Sequence, residues 1–151
     1  MTKLRQTGYV GSDTGKGERK TMIKKTQVKV TTVGSDGSAT AVGYTESVVQ
    51  GNIVRVAVDF HSSAPNTTTV TIAEKHELVA QLIVNLGAGN TDINVYPAHV
   101  LEKNDGTDWL YTTGEEVPAL FAVADILAVT VALSNALTNC VIVDIYYDET
   151  I

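Results

Sequence analysis

The chain has 151 residues, of which 44% are hydrophobic, and its formal net charge is −6. This length favours a single domain with a core of its own, and without a run of about 18 apolar residues we expect no transmembrane helix and no membrane partner. Residues 1–6 hold charges that no apolar stretch follows, so we expect no secretory signal and no export.

Charge is distributed unevenly along the chain. Residues 1–30 hold eight basic and two acidic side chains, whereas residues 31–151 hold three basic and fifteen acidic ones. Such asymmetry is typical of an interaction tail on a folded body. An acidic body repels nucleic acid, so we expect no nucleic-acid partner and an acidic protein surface as the target of the basic segment. The alternative is that these lysines only keep a loose terminus soluble.

Residues 1–22 show neither helical nor strand periodicity and contain four glycines among polar side chains. Such a segment buries too little apolar surface to offset the entropy lost on ordering. We therefore predict an extended arm over 1–22 that orders only against a partner, and a folded domain over 23–151. The basic side chains assigned to partner binding are Lys3, Arg5, Lys16, Arg19, Lys20, Lys24 and Lys25.

From residue 23 onward, apolar side chains recur at every second position, which predicts half-buried strands. Strands are predicted around 28–30 and over 39–49, 53–60, 67–72, 78–86, 93–101, 109–111, 118–123, 126–133 and 140–147. Tight turns are expected at Asp36-Gly37 and Asp105-Gly106, and a break at Gly51-Asn52. Helices over 79–86 and 120–133 are rejected because both segments alternate and lack caps. The fold class is therefore all-β, a β-sandwich or jelly roll.

The last two long strands are apolar on both faces. The second face of 126–133 includes Ile126 and Ala128, and the second face of 140–147 includes Ile142 and Tyr146. Because a strand face that meets water is normally more polar, something must cover these side chains. A second sheet or a loop is one possibility, and we favour a contact between subunits of a homo-oligomer.

No motif for catalysis or cofactor binding is recognisable. The glycine-rich segment 11–17 has the wrong spacing for a phosphate-binding loop, with Gly17 where Ser or Thr would hold magnesium. His61, His76 and His99 lack ligand spacing, and Cys140 lies in an apolar run that predicts a buried, unreactive thiol. We therefore predict no cofactor, no metal and no enzymatic activity.

Three further sites were weighed against simpler interpretations. Asp59 and Asp144 are interpreted as solvent-facing strand residues rather than a hydrolytic carboxylate pair. The acidic segment 104–108 is interpreted as a turn rather than a calcium loop. Trp109 and Tyr111 are spaced for one strand face; core filling or a subunit contact is favoured over a small stacking surface.

The basic glycine-containing segment, the Thr- and Val-rich strands and the closing segments 118–131 and 141–149 together resemble bacteriophage capsid cement, or decoration, proteins. The likeness covers most of the chain in style and includes no diagnostic motif. It implies a structural virion protein on the capsid surface, made in the host cytoplasm, with the major capsid protein as partner and a homo-oligomer, most simply a trimer. The alternatives are a glycan-binding tail module using loops 61–66, 87–92 and 104–109, and a small jelly-roll enzyme.

Overall fold

The computed structural model describes residues 21–112 and 114–150, and this part of the chain consists of strands, turns and loops. No helix in these residues is long and apolar enough to cross a membrane. The strands are β1 Thr21–Val30, β2 Ala39–Tyr44, β3 Val49–Phe60, β4 Thr69–Glu74, β5 Leu82–Leu86, β6 Ile93–Val95, β7 His99–Val100, β8 Leu110–Thr112, β9 Glu115–Glu116, β10 Pro118–Ala119, β11 Ala122–Asp125, β12 Leu127–Ser134 and β13 Val141–Thr150.

Two antiparallel sheets pack face to face. Sheet 1 has the strand order β1-β13-β3-β11, and β6 also pairs with β3. Sheet 2 has the order β2-β12-β4-β5. The β-sandwich predicted from period-two patterning is therefore confirmed, and β12 and β13, the last two long predicted strands, lie in different sheets.

The core lies between the inward faces of the two sheets. Sheet 1 contributes side chains that include Val56, Val58, Val143 and Ile145, and sheet 2 contributes others that include Ile72, Leu127 and Val129. Their near-complete burial removes many branched side chains from water, each worth about 1.5–3 kcal/mol. Cys140 is fully buried in the same cluster, as predicted.

A β-bulge in β3 corrects the predicted alternation of that strand. Tyr146 pairs with Arg55 but the next residue, Tyr147, pairs with Ile53, so Val54 is the extra residue. The bulge turns Ile53 rather than Val54 into the core, where Ile53 is fully buried. A bulge reverses the facing of every residue beyond it, and simple period-two counting cannot place one.

The predicted break at Gly51 is wrong. Strand β3 runs through Gly51 from Val49, and β2 ends earlier than predicted, at Tyr44. Gly51 adopts φ +142° and lies against the backbone of β13, where an added Cβ would come within 2.1 Å of Asp148 O. Glycine is therefore required here because the strand bends closely over its neighbour.

The two sheets approach each other closely where β1 and β2 meet. A Cβ added to Gly43 of β2 would lie 2.8 Å from Val28 Cγ1 and 3.0 Å from Val30 Cγ2 of β1. The missing side chain lets β2 pass directly over the inward valines of β1. Beyond this point the strands separate and leave a groove of about 650 Å³ lined by residues that include Lys25, Lys29 and Tyr44.

Candidate interaction surfaces

The segment between β6 and β11 forms a small three-way structure, described over residues 99–112 and 114–119, which we call the forked ribbon. Strands β7 and β10 pair to form its stem. The stem is joined to the core at Phe121, whose carbonyl accepts a hydrogen bond from Ile53 N at 3.0 Å and whose ring lies 5.0 Å from that of His99. The ribbon is thus a distinct extension of the sandwich.

Three backbone hydrogen bonds close the junction of the fork. Leu101 N donates to Val117 O at 2.7 Å, Trp109 N donates to Leu101 O at 2.8 Å, and Val117 N donates to Trp109 O at 3.3 Å. One finger runs from Leu101 to Trp109 and the other, formed by β8 and β9, runs from Trp109 to Val117. Trp109 therefore stands at the branch point of both fingers.

The turn predicted at Asp105-Gly106 closes the first finger. Gly106 has φ +85°, and the Asp105 carboxylate accepts hydrogen bonds from Thr107 Oγ1 at 2.7 Å and Thr107 N at 3.0 Å. These two bonds lower the pKa of Asp105 because they favour its charged form. The carboxylate therefore has a structural role as a turn cap, which supports the turn interpretation over a calcium loop.

The forked ribbon presents apolar side chains to solvent. Trp109 is 53% exposed and Tyr111 is 72% exposed, and Leu101 and Leu110 are also exposed. Core filling, one of the two roles favoured for Trp109 from sequence, is therefore wrong. The forked ribbon also contains five exposed carboxylates, Glu102, Asp105, Asp108, Glu115 and Glu116, and one exposed lysine, Lys103. An aromatic patch with a charged surround is the composition of a protein-binding surface.

A second apolar projection lies in the loop 75–81, between β4 and β5. Leu78 and Val79 at its apex are almost completely exposed. The strand predicted over 78–86 placed Leu78 on one face with Leu82 and Leu86, but β5 begins at Leu82. Beside this loop lies an open groove of about 480 Å³ whose lining includes Val79 and Gln81.

Two buried carboxylates hold the base of this loop. Glu74 accepts hydrogen bonds from Gln81 N and Gln81 Nε2, both at 2.9 Å. Asp125 accepts from His76 N at 2.6 Å, Ile126 N at 2.7 Å and His76 Nδ1 at 2.8 Å. Since an ionised carboxylate only accepts, the imidazole proton is on Nδ1. Sequence reasoning missed this anchor because its two halves are 49 residues apart.

The ionised Asp125 carboxylate makes the free energy of unfolding depend on pH in the acid range. Burial raises its pKa, but the hydrogen bonds from His76 and Ile126 outweigh burial and lower the pKa to about 2. Because this value lies below the usual 3.8, the carboxylate stabilises the fold fully above pH about 4, and this contribution is lost as pH falls toward 2.

We therefore expect the wild-type protein to exceed Asp125→Asn in unfolding free energy at pH 7, and the difference to shrink as pH falls from about 4 to 2. Urea titrations of both proteins across this range measure the difference at each pH. A gap that stays constant down to pH 2 would show that the Asp125 hydrogen bonds do not favour its ionised form.

The two outer faces of the sandwich differ sharply in charge. On sheet 1, Gln27 Nε2 donates to Asp144 Oδ1 at 2.8 Å, and the Arg55 guanidinium lies 4.0 Å from the centre of the Tyr146 ring. Ile142 lies between its register partners Lys29 and Asp59. This face is therefore a solvated, charge-paired surface, and Asp59 and Asp144 belong to it, as predicted.

Within the described chain, the four strands of sheet 2 place no charged side chain on its outer face. Glu74 is the single charged residue in its four strands, and Glu74 is buried. One row across the face consists of Tyr44, Ala128, Ala73 and Leu82. The next row consists of Val42, Thr130, Thr71 and Asn85. At one end of the face, Lys75 Nζ lies 4.3 Å from the centre of the Tyr44 ring.

The four residues predicted as one oligomer contact do not share a surface. Ala128 belongs to the outer face of sheet 2, and Ile126 directly precedes β12 at the end of that face. Ile142 and Tyr146 lie on the outer face of sheet 1, on the opposite side of the sandwich. All four are half-buried. These four residues therefore cannot form one continuous contact, because β12 and β13 are in different sheets, and their contact with another subunit stays a prediction.

Two of the predicted arm residues lie in the folded body. Lys24 and Lys25 are part of β1, which begins at Thr21, so the predicted boundary after residue 22 falls inside this strand. Lys24 Nζ pairs with Glu149 Oε1 of β13 at 2.6 Å. These two lysines lie on an edge strand, where charged side chains commonly protect the strand from pairing with a strand of another chain. Lys3, Arg5, Lys16, Arg19 and Lys20 lie outside the described residues.

The histidines have local partners. His61 Nδ1 accepts from Ser63 N at 3.0 Å, His76 contacts Asp125, and His99 Nδ1 lies 2.9 Å from Val100 O. Across residues 21–112 and 114–150, no group of three or more His, Cys, Asp or Glu side chains is arranged to hold a metal ion. The surfaces described above are therefore the features of this structure that point to a function.

Comparison of the chain with protein-family models, curated proteins and solved structures returns no match. The forked ribbon, the loop 75–81 and the two outer faces of the sandwich are therefore the features from which a function is proposed.

Proposed function

We propose that this chain is a structural protein of a bacteriophage virion that binds the outside of the capsid and stabilises contacts between major capsid protein subunits. The observation that supports this most directly is the forked ribbon, a hydrogen-bonded extension whose two aromatic side chains are more than half exposed in the described chain. A protein that exposes Trp109 and Tyr111 on an ordered scaffold is suited to docking on another protein.

The body and its extensions have separate roles in this proposal. The sandwich is a rigid unit with its own core, so it can bridge two capsid subunits without changing shape. The forked ribbon supplies aromatic anchors with acidic side chains around them, which fit an apolar patch with basic neighbours. Residues 1–20 are basic and fit an acidic patch. Opposite charges on the two elements define the orientation of binding.

The energy of binding comes from apolar surface removed from water at the capsid. Each Å² buried contributes about 25 cal/mol, less the cost of immobilising side chains and any segment that orders on binding. A decoration protein in contact with two capsid subunits at once holds them together by that amount. Copies joined to one another bind more tightly still, since the second contact forms at high effective concentration.

Removal of residues 2–20 is expected to leave a folded protein that binds capsids weakly. Strand β1 begins at Thr21, so this deletion removes no residue of the described strands. The thermal unfolding temperature should stay close to that of the full chain, whereas binding to shells that lack the protein should fall at least tenfold because five basic side chains are lost. Co-sedimentation of each protein with such shells measures the affinity.

A longer deletion provides the control for this experiment. Removing residues 2–26 also takes away six of the ten residues of β1, including Lys24 of the Lys24–Glu149 ion pair, and should lower the unfolding temperature. If the 2–20 deletion binds shells with the affinity of the full chain, the basic segment has no part in docking.

A tail module that binds glycans is the second candidate function. The observation that favours it is the spacing of Trp109 and Tyr111, two exposed rings two residues apart on one finger, since sugar faces stack on aromatic rings. A glycan array probed with the full chain tests it. Binding that disappears in Trp109→Ala, together with no affinity for capsids, would select this function over decoration.

A further inference from the structure

We infer that the outer face of sheet 2 is a self-association surface, on which a second copy of this chain packs through the same face. The inference does not depend on which partner the forked ribbon binds. It rests on the charge distribution of the two sheets, on the side chains of the face and on its area.

Charge identifies a second copy as the occupant. Residues 31–151 hold fifteen acidic and three basic side chains, so two copies repel each other across most of the body. The outer face of sheet 1 also bears charged groups, including Lys29, Arg55 and Asp59. On the outer face of sheet 2, two copies can meet without opposing like charges from its strands, and a neighbouring cation, Lys75, lies against the Tyr44 ring at one end of the face.

The side chains of the face allow close approach of a flat partner. Its centre is formed by Ala128, Thr130, Thr71 and Ala73, which are small and half-buried. At the two edges stand larger apolar side chains, Val42 and Tyr44 on β2 and Leu82 on β5, each 47–51% exposed. Sheets that pack through such surfaces lie about 10 Å apart. The larger side chains at the edges of one copy then pack beside the small side chains at the centre of the other.

The symmetry of this contact is two-fold. A face that packs on the same face of a second copy makes an isologous interface, in which one two-fold rotation axis relates the contacts of the two copies. It produces a pair of sandwiches stacked as four layers. The trimer implied by resemblance to decoration proteins needs a different, head-to-tail contact.

The area of the face predicts a weak association. Four strands about 4.8 Å apart, with about 3.4 Å per residue over 126–132, cover roughly 400 Å² per copy. A stable interface buries about 800 Å² per partner. We therefore expect pairs that form at high micromolar concentration in solution and more readily where copies are held side by side on a surface.

A matched pair of lysine substitutions tests the inference. Ala128→Lys puts a charge at the centre of the sheet 2 face, and Ala57→Lys does the same on sheet 1, between Asp144 and Asn94. Both alanines are half-buried and face outward on inner strands. Sedimentation equilibrium of the full chain, from micromolar to millimolar concentration, should show association for wild type and Ala57→Lys, and at least tenfold weaker association for Ala128→Lys.

A second variant guards against misfolding. Val42→Lys lies on the edge strand β2, where the wild-type side chain is already 47% exposed, and it should weaken association like Ala128→Lys while unfolding at the wild-type temperature. Wild-type protein that remains monomeric to millimolar concentration would overturn the inference. So would folded Ala128→Lys and Val42→Lys proteins that associate as strongly as wild type. Capsid binding by these variants is measured separately and tests only the decoration proposal.

Discussion

Replacement of Gly51 by alanine is expected to destabilise the fold by about 3 kcal/mol or more. The new Cβ would lie 2.1 Å from Asp148 O, a backbone atom that cannot rotate away. The φ of +142° is also strained for any residue with a side chain. Backbone strain and overpacking each cost about 1–3 kcal/mol. Urea unfolding monitored by circular dichroism measures the loss directly.

Gly87→Ala is the matched control for this change. A Cβ at Gly87 meets no atom within 4 Å, and its φ lies outside the strained positive range, so stability should change by no more than about 1 kcal/mol. Should Gly51→Ala unfold at the same urea concentration as Gly87→Ala, the close packing of β3 on β13 at this bend would be wrong.

Loss of the two exposed rings of the forked ribbon is expected to have the largest effect on docking. Trp109→Ala and Tyr111→Ala should each weaken binding to capsids by about 2 kcal/mol, roughly 30-fold. Neither ring is part of the core, since both are more than half exposed, so the unfolding temperature should remain at the wild-type value. Affinities measured by co-sedimentation with shells that lack the protein give the comparison.

Val33→Ala serves as the control, because Val33 is an exposed apolar residue that pairs with Thr40, outside the forked ribbon and the four strands of sheet 2. It should leave the affinity of the monomer for capsids unchanged. Equal affinities of wild type, Trp109→Ala and Tyr111→Ala would remove the forked ribbon from the docking surface and leave the exposure of its aromatic side chains without a role.

Period-two patterning predicted the parts of the fold that are regular. The bounds of β12 differ from the predicted bounds by one residue and those of β13 by up to three, and the alternating valines of both strands are buried as expected. The pattern failed where the backbone departs from two-residue repetition. The bulge at Val54 and the bend at Gly51 depend on which atoms of β13 lie opposite, and that information is not local.

The candidate surfaces were predictable in part. The two-residue spacing of Trp109 and Tyr111 indicated that their rings share a strand face. Their exposure depends on whether another element covers them, which spacing does not show. Ala128 and Ile142 were both recognised as apolar residues on a second strand face, and only pairing separates them onto opposite sheets. The lack of charge in β2, β4, β5 and β12 could have been read from the sequence once those strands were known to form one sheet.

The loop anchor was beyond sequence reasoning for a different reason. The contact between His76 and Asp125 joins segments 49 residues apart, and neither residue belongs to a recognisable motif. Its effect is to fix the base of a loop whose apex, Leu78, is fully exposed. Alternation alone placed that leucine in a strand because it matched the phase of β5.

The central claim is that this chain is built to bind the outside of a phage capsid. Quantitative mass spectrometry of purified phage particles, from a culture in which the chain is expressed, tests it most directly. The account predicts that the protein is present in a fixed, high ratio to the major capsid protein. Absence from the particles, or presence only at the few copies typical of a tail tip, would contradict it.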